Sequence, residues 1–265
     1  LFDKLEKKYY LLRDRFGTKP LFYYFDGSKF YFSSSLTSLS KNIISINLQI
    51  NKEALNKYIN FGYNFGNKTL LDKIDQVENS EIVIFDDRNK NIKKYKITSD
   101  QTLIKNTIDF RSTIRESFNS KHNVALLLSG GIDSNILLKE HILYEKDKTT
   151  AFSTKFINVD EKYNEDFFIA KKQSQKNNVK FEQIEIDSKN FLDNLNDSYQ
   201  ALEQPILNIS IPIYYISFKT IRSKNFRSVI SGDGGDELFY GYSHQKLLYF
   251  FNKLNFFYKH QNYYK

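Results

Sequence analysis

The chain has 265 residues, 40% of them hydrophobic and 26% charged, which suits a globular protein of one large domain or two ordinary ones. It contains no Cys, which excludes disulfides, thiolate metal sites and a cysteine nucleophile within these residues. No apolar run approaches the roughly 20 residues that span a bilayer, and the net charge of +8 comes from scattered lysines rather than one basic stripe, so it bears on solubility before it bears on a nucleic-acid partner.

Taken in order, residues 8–33 read as an antiparallel hairpin, with apolar runs at Tyr9–Leu12, Leu21–Phe25 and Lys29–Phe32 and a turn at Asp26-Gly27-Ser28. R-D-R-F-G-T-K-P (13–20) lies between the first two runs as a loop. Residues 51–60 form a short helix capped by Asn51. Glu81–Phe85 and Ile92–Ile97 form a second hairpin around a polar turn. The first hundred residues are thus strand-rich with antiparallel links, and a boundary falls near residue 100. Beyond it the periodicity changes. Leu103–Phe118 has helical spacing, Val124–Leu128 is an apolar strand, and a helix runs from about Ile132 to Tyr144. Thr150–Phe156 is a strand, Asn164–Lys176 a helix and Val179–Ile186 a strand. Ser188 caps another helix, Pro212 opens the next, and Phe226–Ile230 is a strand. Strands alternating with helices imply a parallel sheet covered on both faces. Phe239–Phe251 is expected to be a helix buried on several sides, or else a partner surface left bare by truncation.

Two glycine motifs carry the chemistry. V-A-L-L-L-S-G-G-I-D-S-N (124–135) is a strand, a glycine turn and a helix start. Its backbone N–H groups and the helix dipole converge where a phosphate would sit. Asp133 would repel that phosphate unless a cation lay between them, and Mg²⁺ is held by one or two carboxylates plus phosphate oxygens. S-G-D-G-G-D-E-L-F-Y-G-Y (231–242) also follows an apolar strand end and holds Asp233, Asp236 and Glu237. Ligands of α/β sheets bind beyond the carboxyl ends of the strands, so two such loops can face one ligand. Asp133 and Asp236 are the expected Mg²⁺ carboxylates, leaving Asp233 for acid/base or electrostatic work. The oxygen spacing of a Ca²⁺-binding EF-hand is absent. So is the lysine of a Walker loop. A loop that grips phosphate without a lysine suits attack at the α-phosphorus with pyrophosphate leaving, which is adenylation. His122, His141, His244 and His260 show no metal-ligand spacing, and the abundant Tyr and Phe are expected in the core.

With both motifs in view, the sequence resembles the glutamine-hydrolysing asparagine synthetase family. S-G-G-I-D-S (129–134) looks like its pyrophosphate loop and 231–242 like its second signature. E-Q-P…I-P-I-Y (203–214), R-D-R-F-G-T-K-P-L-F-Y-Y (13–24), F-G-Y (61–63) and K-T-L-L-D-K-I (68–74) follow in collinear order. The resemblance implies an α/β parallel-sheet ATP pyrophosphatase, of the adenine nucleotide α-hydrolase kind, at 101–265. It places the strand-rich end of an Ntn-type, class II glutamine amidotransferase domain at 1–100. The implied reaction is aspartate plus ATP giving β-aspartyl-adenylate and pyrophosphate, then attack by ammonia from glutamine. Leu128 and Thr154 would contact adenosine; Ser129, Gly130, Gly131, Asp133 and Ser134 would hold pyrophosphate; Ser231 and Gly232 would touch ATP. Asp133 and Asp236 would bind Mg²⁺, Asp233 would assist ammonia attack, and Asp3 would hold the glutamine amino group.

The implied partners are the small molecules ATP, aspartate and glutamine or ammonia, without nucleic acid or membrane, in the cytoplasm, with a homodimer left open. The chain departs from the family pattern at Ser33-Ser34-Ser35, where A-S-E is usual, at Asn79-Ser80-Glu81, where P-G-H is common, and at Lys155, where Gly is frequent. These changes leave room for another carboxylate acceptor, in a polysaccharide or peptide-modification pathway. A tRNA-modifying ATP pyrophosphatase is the alternative of another class. Residue 1 is Leu and there is no Met, so the chain is expected to be a piece lacking the family's N-terminal Cys and its C-terminal part, inactive alone.

Overall fold

The computed structural model describes residues 1–43, 47–97, 110–117, 122–145 and 148–261. The chain forms two compact units, Leu1–Thr107 with Leu192–Ile213, and Ile108–Phe191 with Tyr214–Lys265. No helix among the described residues is long and apolar enough to cross a membrane.

The first unit is built on antiparallel pairing. It contains β1 (Phe2–Asp3), β2 (Lys8–Leu12), β3 (Phe22–Phe25), β4 (Phe30–Ser33), α1 (Leu36–Asn42), α2 (Lys52–Phe61), β5 (Asp75–Gln76), β6 (Glu81–Asp86) and β7 (Asn91–Lys96). One sheet has the order β1-β2-β6-β7 and the other β4-β3-β5. The expected hairpin of residues 8–33 is therefore divided. β3 and β4 do pair, Phe22 opposite Ser33 and Phe25 opposite Phe30. β2 instead joins β6 in the other sheet, Tyr10 opposite Ile84. The physical reason is a second apolar face: β6 alternates, burying Val83 and Phe85 on one side, and Leu11, Tyr23, Val77 and Val83 close a core between them. Phe30 stacks on Phe85 at 4.4 Å. The β6–β7 hairpin matches its sequence pattern.

In α2, Asn51 accepts hydrogen bonds from the Glu53 and Ala54 N–H groups, and Gly62 ends the helix at φ 79°, a left-handed conformation that costs a β-carbon-bearing residue more. The sequence pattern missed α1, whose seven residues include two serines; it forms because Ser35 caps it and Leu36 and Leu39 are buried with Phe22 and Ile74.

The second unit contains α3 (Phe110–Ser117), β8 (Val124–Leu127), α4 (Ile132–Glu145), β9 (Thr149–Phe156), a 3₁₀ turn at Glu161–Asn164, α5 (Glu165–Lys176) and β10 (Lys180–Ile186). α6 (Ser188–Gln200) leads out of it and α7 (Ile211–Ser223) leads back. β11 (Ser228–Ile230), α8 (Gly235–Phe239) and α9 (Ser243–Gln261) complete it. The helix expected from Leu103 is described only from Phe110; its earlier part, like the boundary near residue 100, lies outside the described residues.

The sheet is wholly parallel, in the order β10-β9-β8-β11, so the expected α/β class holds. Parallel strands covered on both faces are apolar throughout, as Val124, Ala125 and Leu126 are, each at most 2% exposed. Leu126, Leu128, Leu138, Ala151, Ala170 and Val179 lock β8, β9, α4 and α5 together. Of the two readings of Phe239–Phe251 the buried helix fails: the run divides between α8 and α9, and Leu247, Leu248, Tyr249, Phe250 and Phe251 are all exposed by half or more.

Candidate active site at the carboxyl ends of two parallel strands

Strand order sets the site. From β8 the chain proceeds outward through β9 to β10, and then β11 returns to the other side of β8. The order reverses between β8 and β11, which is where doubly wound sheets open a crevice for ligands. Both glycine motifs leave the carboxyl ends of these two neighbours, with Val124 opposite Ser228 and Leu126 opposite Ile230. The two loops, about a hundred residues apart in sequence, meet through their backbones. A Cβ on Gly232 would lie 2.9 Å from the Ser134 nitrogen, and one on Gly235 would lie 2.5 Å from the Asp133 carboxyl carbon. Only glycine permits that approach.

In the first loop, Ser134 is 5% exposed and ties the turn to itself. Its Oγ donates to the Ser129 and Gly131 carbonyls at 3.1 Å and accepts from the Ser129 N–H at 3.2 Å, while the Gly131 N–H donates to Ser129 Oγ. The turn is therefore pre-formed at the start of α4. Gly130 passes close to Asp166, whose Oδ1 would be 2.6 Å from a Cβ there. Leu128 is buried and donates its N–H to the Phe152 carbonyl. Thr154, on neighbouring β9, lies 3.4 Å from Ser217 of α7 by hydroxyl oxygens. Leu128, Ser129, Gly130, Gly131, Asp133, Ser134, Ser231, Gly232, Asp233 and Asp236 thus stand beyond the carboxyl ends of β8 and β11, and Thr154 lies within β9, two residues before its end. Asp3 belongs to the other unit, where its Oδ1 accepts from the Leu5 and Glu6 N–H groups in the turn after β1.

In the second loop Asp233 is held from two sides. Tyr214 of α7 donates its hydroxyl to Oδ1 at 2.9 Å, and Ser231 donates to Oδ2 at 2.7 Å. Burial and the adjacent Asp233 push the Tyr214 phenol up to about 12. Tyr214 had no role in the sequence reading. Its signal was a hydroxyl-bearing ring in the apolar run I-P-I-Y, just ahead of the second motif. Tyr242 similarly donates to Glu237 at 2.9 Å, which raises its phenol.

The donor set suits a cation shared with phosphate. Asp133 lies against Gly235, whereas the carboxylate of Asp236, the next residue in the chain, packs against the Gly241 backbone. Among the described residues no group of three or more His, Cys, Asp or Glu could hold a metal by itself. Mg²⁺ is held by one or two carboxylates plus phosphate oxygens, and Asp133, at the meeting of the two loops, is a donor of that chemistry.

Residues 109–262 match the family model described as asparagine synthase, and residues 1–96 match that of a glutamine amidotransferase domain. The chain belongs to the asparagine synthase family. A Methanocaldococcus jannaschii protein named as a candidate glutamine-hydrolyzing asparagine synthetase is 29% identical over 263 residues, covering 91% of this chain and 48% of that one. A Bacillus subtilis protein named asparagine synthetase 1, glutamine-hydrolyzing, is 26% identical over 256 residues, covering 92% of this chain and 39% of that one. The chain thus spans half or less of these family relatives. An NH3-dependent NAD synthetase from Campylobacter jejuni is 24% identical with a TM-score of 0.34, covering 50% of this chain and 57% of that one, too remote to bear on the site.

Proposed function

We propose that this family member takes part in ATP- and glutamine-dependent amidation of aspartate to asparagine, with residues 101–265 activating the acceptor and residues 1–100 belonging to the nitrogen-supplying domain. The observation that carries this is the meeting of the two glycine loops beyond adjacent parallel strands, with Asp133 against Gly235.

In this reading the β-carboxylate oxygen of aspartate attacks the α-phosphorus, the bond to the bridging oxygen of the β-phosphate breaks, and pyrophosphate leaves. Ser129, Gly130, Gly131 and Ser134 hold the pyrophosphate by backbone and hydroxyl groups, with the dipole of α4 behind them. Leu128 and Thr154 border the adenosine, and Ser231 and Gly232 the rest of ATP. Bound at Asp133 and Asp236, Mg²⁺ would neutralise charge on the phosphates. Ammonia then attacks the activated acyl carbon and AMP departs. Asp233, oriented by Tyr214 and Ser231, takes up the proton from the attacking nitrogen. Asp3 is the proposed contact for the glutamine amino group.

The test is aspartate-dependent exchange of pyrophosphate into ATP by the full-length protein. Exchange driven by another carboxylate and not by aspartate would reassign the acceptor. Binding of tRNA with steep salt dependence and no exchange would move the protein to the tRNA-modifying class, a reading that the amidotransferase match over residues 1–96 disfavours.

A further inference from the structure

A cavity of about 360 Å³ opens within the strand-rich unit, and all of its lining residues belong to that unit. Its walls come from Arg13 after β2, the Asn64–Gly66 turn after α2, Gln76 of β5, Glu78 and Asn79 ahead of β6, and Lys96 at the end of β7. Asn79 is one of the chain's departures from the family pattern. Small-molecule sites are commonly clefts of roughly 300–1,000 Å³ with a few fixed polar groups. None of these residues has a role in the proposed amidation.

The lining is unbalanced in charge. Arg13 donates Nε to the Lys19 carbonyl at 3.1 Å, Nη1 to that of Val77 at 2.9 Å and Nη2 to that of Gly17 at 3.0 Å. The guanidinium is therefore fixed, and no carboxylate pairs with it among the described residues. Lys96 pairs with Glu78 and donates to the Asn79 carbonyl at 3.3 Å, which leaves one of its three N–H groups for a ligand. Lys57, whose ammonium lies 5.1 Å from the Phe65 ring centroid, is already paired with Glu53. Arg13 and Lys96 against Glu78 leave one positive charge in excess.

The lining also leaves an acceptor open. Asn64 donates Nδ2 to the Lys68 carbonyl and to Gln204 Oε1 at 3.0 Å. A carbonyl only accepts, so the amide is held in this orientation. Its Oδ1 is buried and has no partner among the described residues. Such an acceptor bears the desolvation penalty with nothing to offset it. Glu78 reaches the same turn: its Oε1 would lie 4.0 Å from a Cβ on Gly66.

We propose that this cavity binds a free acidic α-amino acid, glutamate or aspartate. The ammonium group of the ligand supplies donors to Asn64 Oδ1 and Glu78. Its carboxylates offset Arg13 and take the remaining N–H of Lys96. Two carboxylates and one ammonium carry a single negative charge, which cancels the excess of the lining, whereas a neutral amino acid does not. Phe65 offers an apolar face to the methylenes between. Charge-assisted hydrogen bonds are the strong ones and fix orientation as well as affinity.

The test is titration calorimetry on this chain without nucleotide. Glutamate is the probe, because aspartate is also the proposed acceptor, and it is compared with glutarate, which has the same two carboxylates and no amine. Wild type should bind glutamate about tenfold or more tighter than glutarate, the order of one hydrogen bond to a charged group. Glu78→Gln, nearly isosteric, should bring that preference down to about one, and so should Asn64→Leu. Bound glutamate should slow hydrogen exchange at 62–68 and 74–80. Asp3→Ala, at the proposed glutamine contact, should leave glutamate binding unchanged. Absence of glutamate binding at about 10 mM would overturn the proposal. So would equal affinity for glutarate, a preference that survives Glu78→Gln, protection confined to other segments, or loss of binding in Asp3→Ala. Neither ATP nor a glycine loop enters the assay, so its failure is distinguishable from failure of the amidation reading.

Discussion

Replacing Gly235 by alanine isolates one contact of the site. Gly235 opens α8, and it stands outside the left-handed region, so a methyl group brings no backbone strain and improves helix propensity by about 0.8–1 kcal/mol. Its neighbourhood is another matter. The new Cβ would lie 2.5 Å from the Asp133 carboxyl carbon and 2.8 Å from both carboxylate oxygens. Ordinary carbon contacts begin at about 3.5 Å, so the carboxylate must withdraw by roughly 1 Å or leave its rotamer. A misplacement of about 1 Å can cost about a hundredfold in a positioned reaction.

We therefore expect Gly235→Ala to melt within about 1 kcal/mol of wild type and to bind Mg²⁺–ATP roughly ten- to a hundredfold more weakly. Titration calorimetry reads the affinity and urea unfolding the stability. The control is the preceding residue. Gly234 has φ +91° and nothing within 4 Å of a Cβ. Gly234→Ala should lose about 1–2 kcal/mol of stability from the left-handed backbone and keep more of its affinity. Wild-type affinity in Gly235→Ala would refute the claim that Asp133 acts from the position it occupies against the second loop.

Leu138 is 1% exposed in the core that joins α4 to the sheet, and Leu138→Ala should cost about 2–5 kcal/mol in urea unfolding of the second unit. Asn51→Ala removes the cap of α2 and should cost about 0.5–2 kcal/mol, read as an earlier unfolding midpoint. The Tyr214 phenol is pushed from about 10 to about 12. A folded value above the unfolded one means that its contribution is fully present below pH 10 and is lost as pH rises towards 12. Tyr214→Phe should therefore flatten the fall in stability between those values, and a slope equal to wild type would count against the Asp233 contact.

Much of this arrangement is legible in the sequence, because it rests on local patterns. The run Val124–Leu128 has to be a buried strand, and the glycines after it have to turn. Asn51 and Gly62 bracket a helix of the expected register. What escaped detection depends on distant partners. β2 is apolar enough to pair with β3, and only the alternation of β6, seventy residues away, draws it into another sheet. α1 lacks the propensity to announce itself and leans on Glu203, which accepts from the Leu36 N–H at its start. The exposure of α9 is legible only as one of two readings, since apolar residues spread around a helix suit a buried helix as well as a bare surface. Tyr214 escaped because its role belongs to Asp233, a partner nineteen residues on.

The adjacency of β8 and β11 also bears on when the site can exist during synthesis. The two strands lie about 4.8 Å apart across the sheet, yet β11 is only three residues long and begins a hundred residues after β8. A growing chain emerges amino end first. Through most of translation of the second unit β8 has one flank bare, and the Ser129–Ser134 turn is complete without its counterpart. Closing a loop of that length is slow relative to local helix formation. Ribosome-bound chains halted before Ser228 should therefore carry the first loop and hold no nucleotide, and binding should appear only once Ser231–Glu237 has left the exit tunnel.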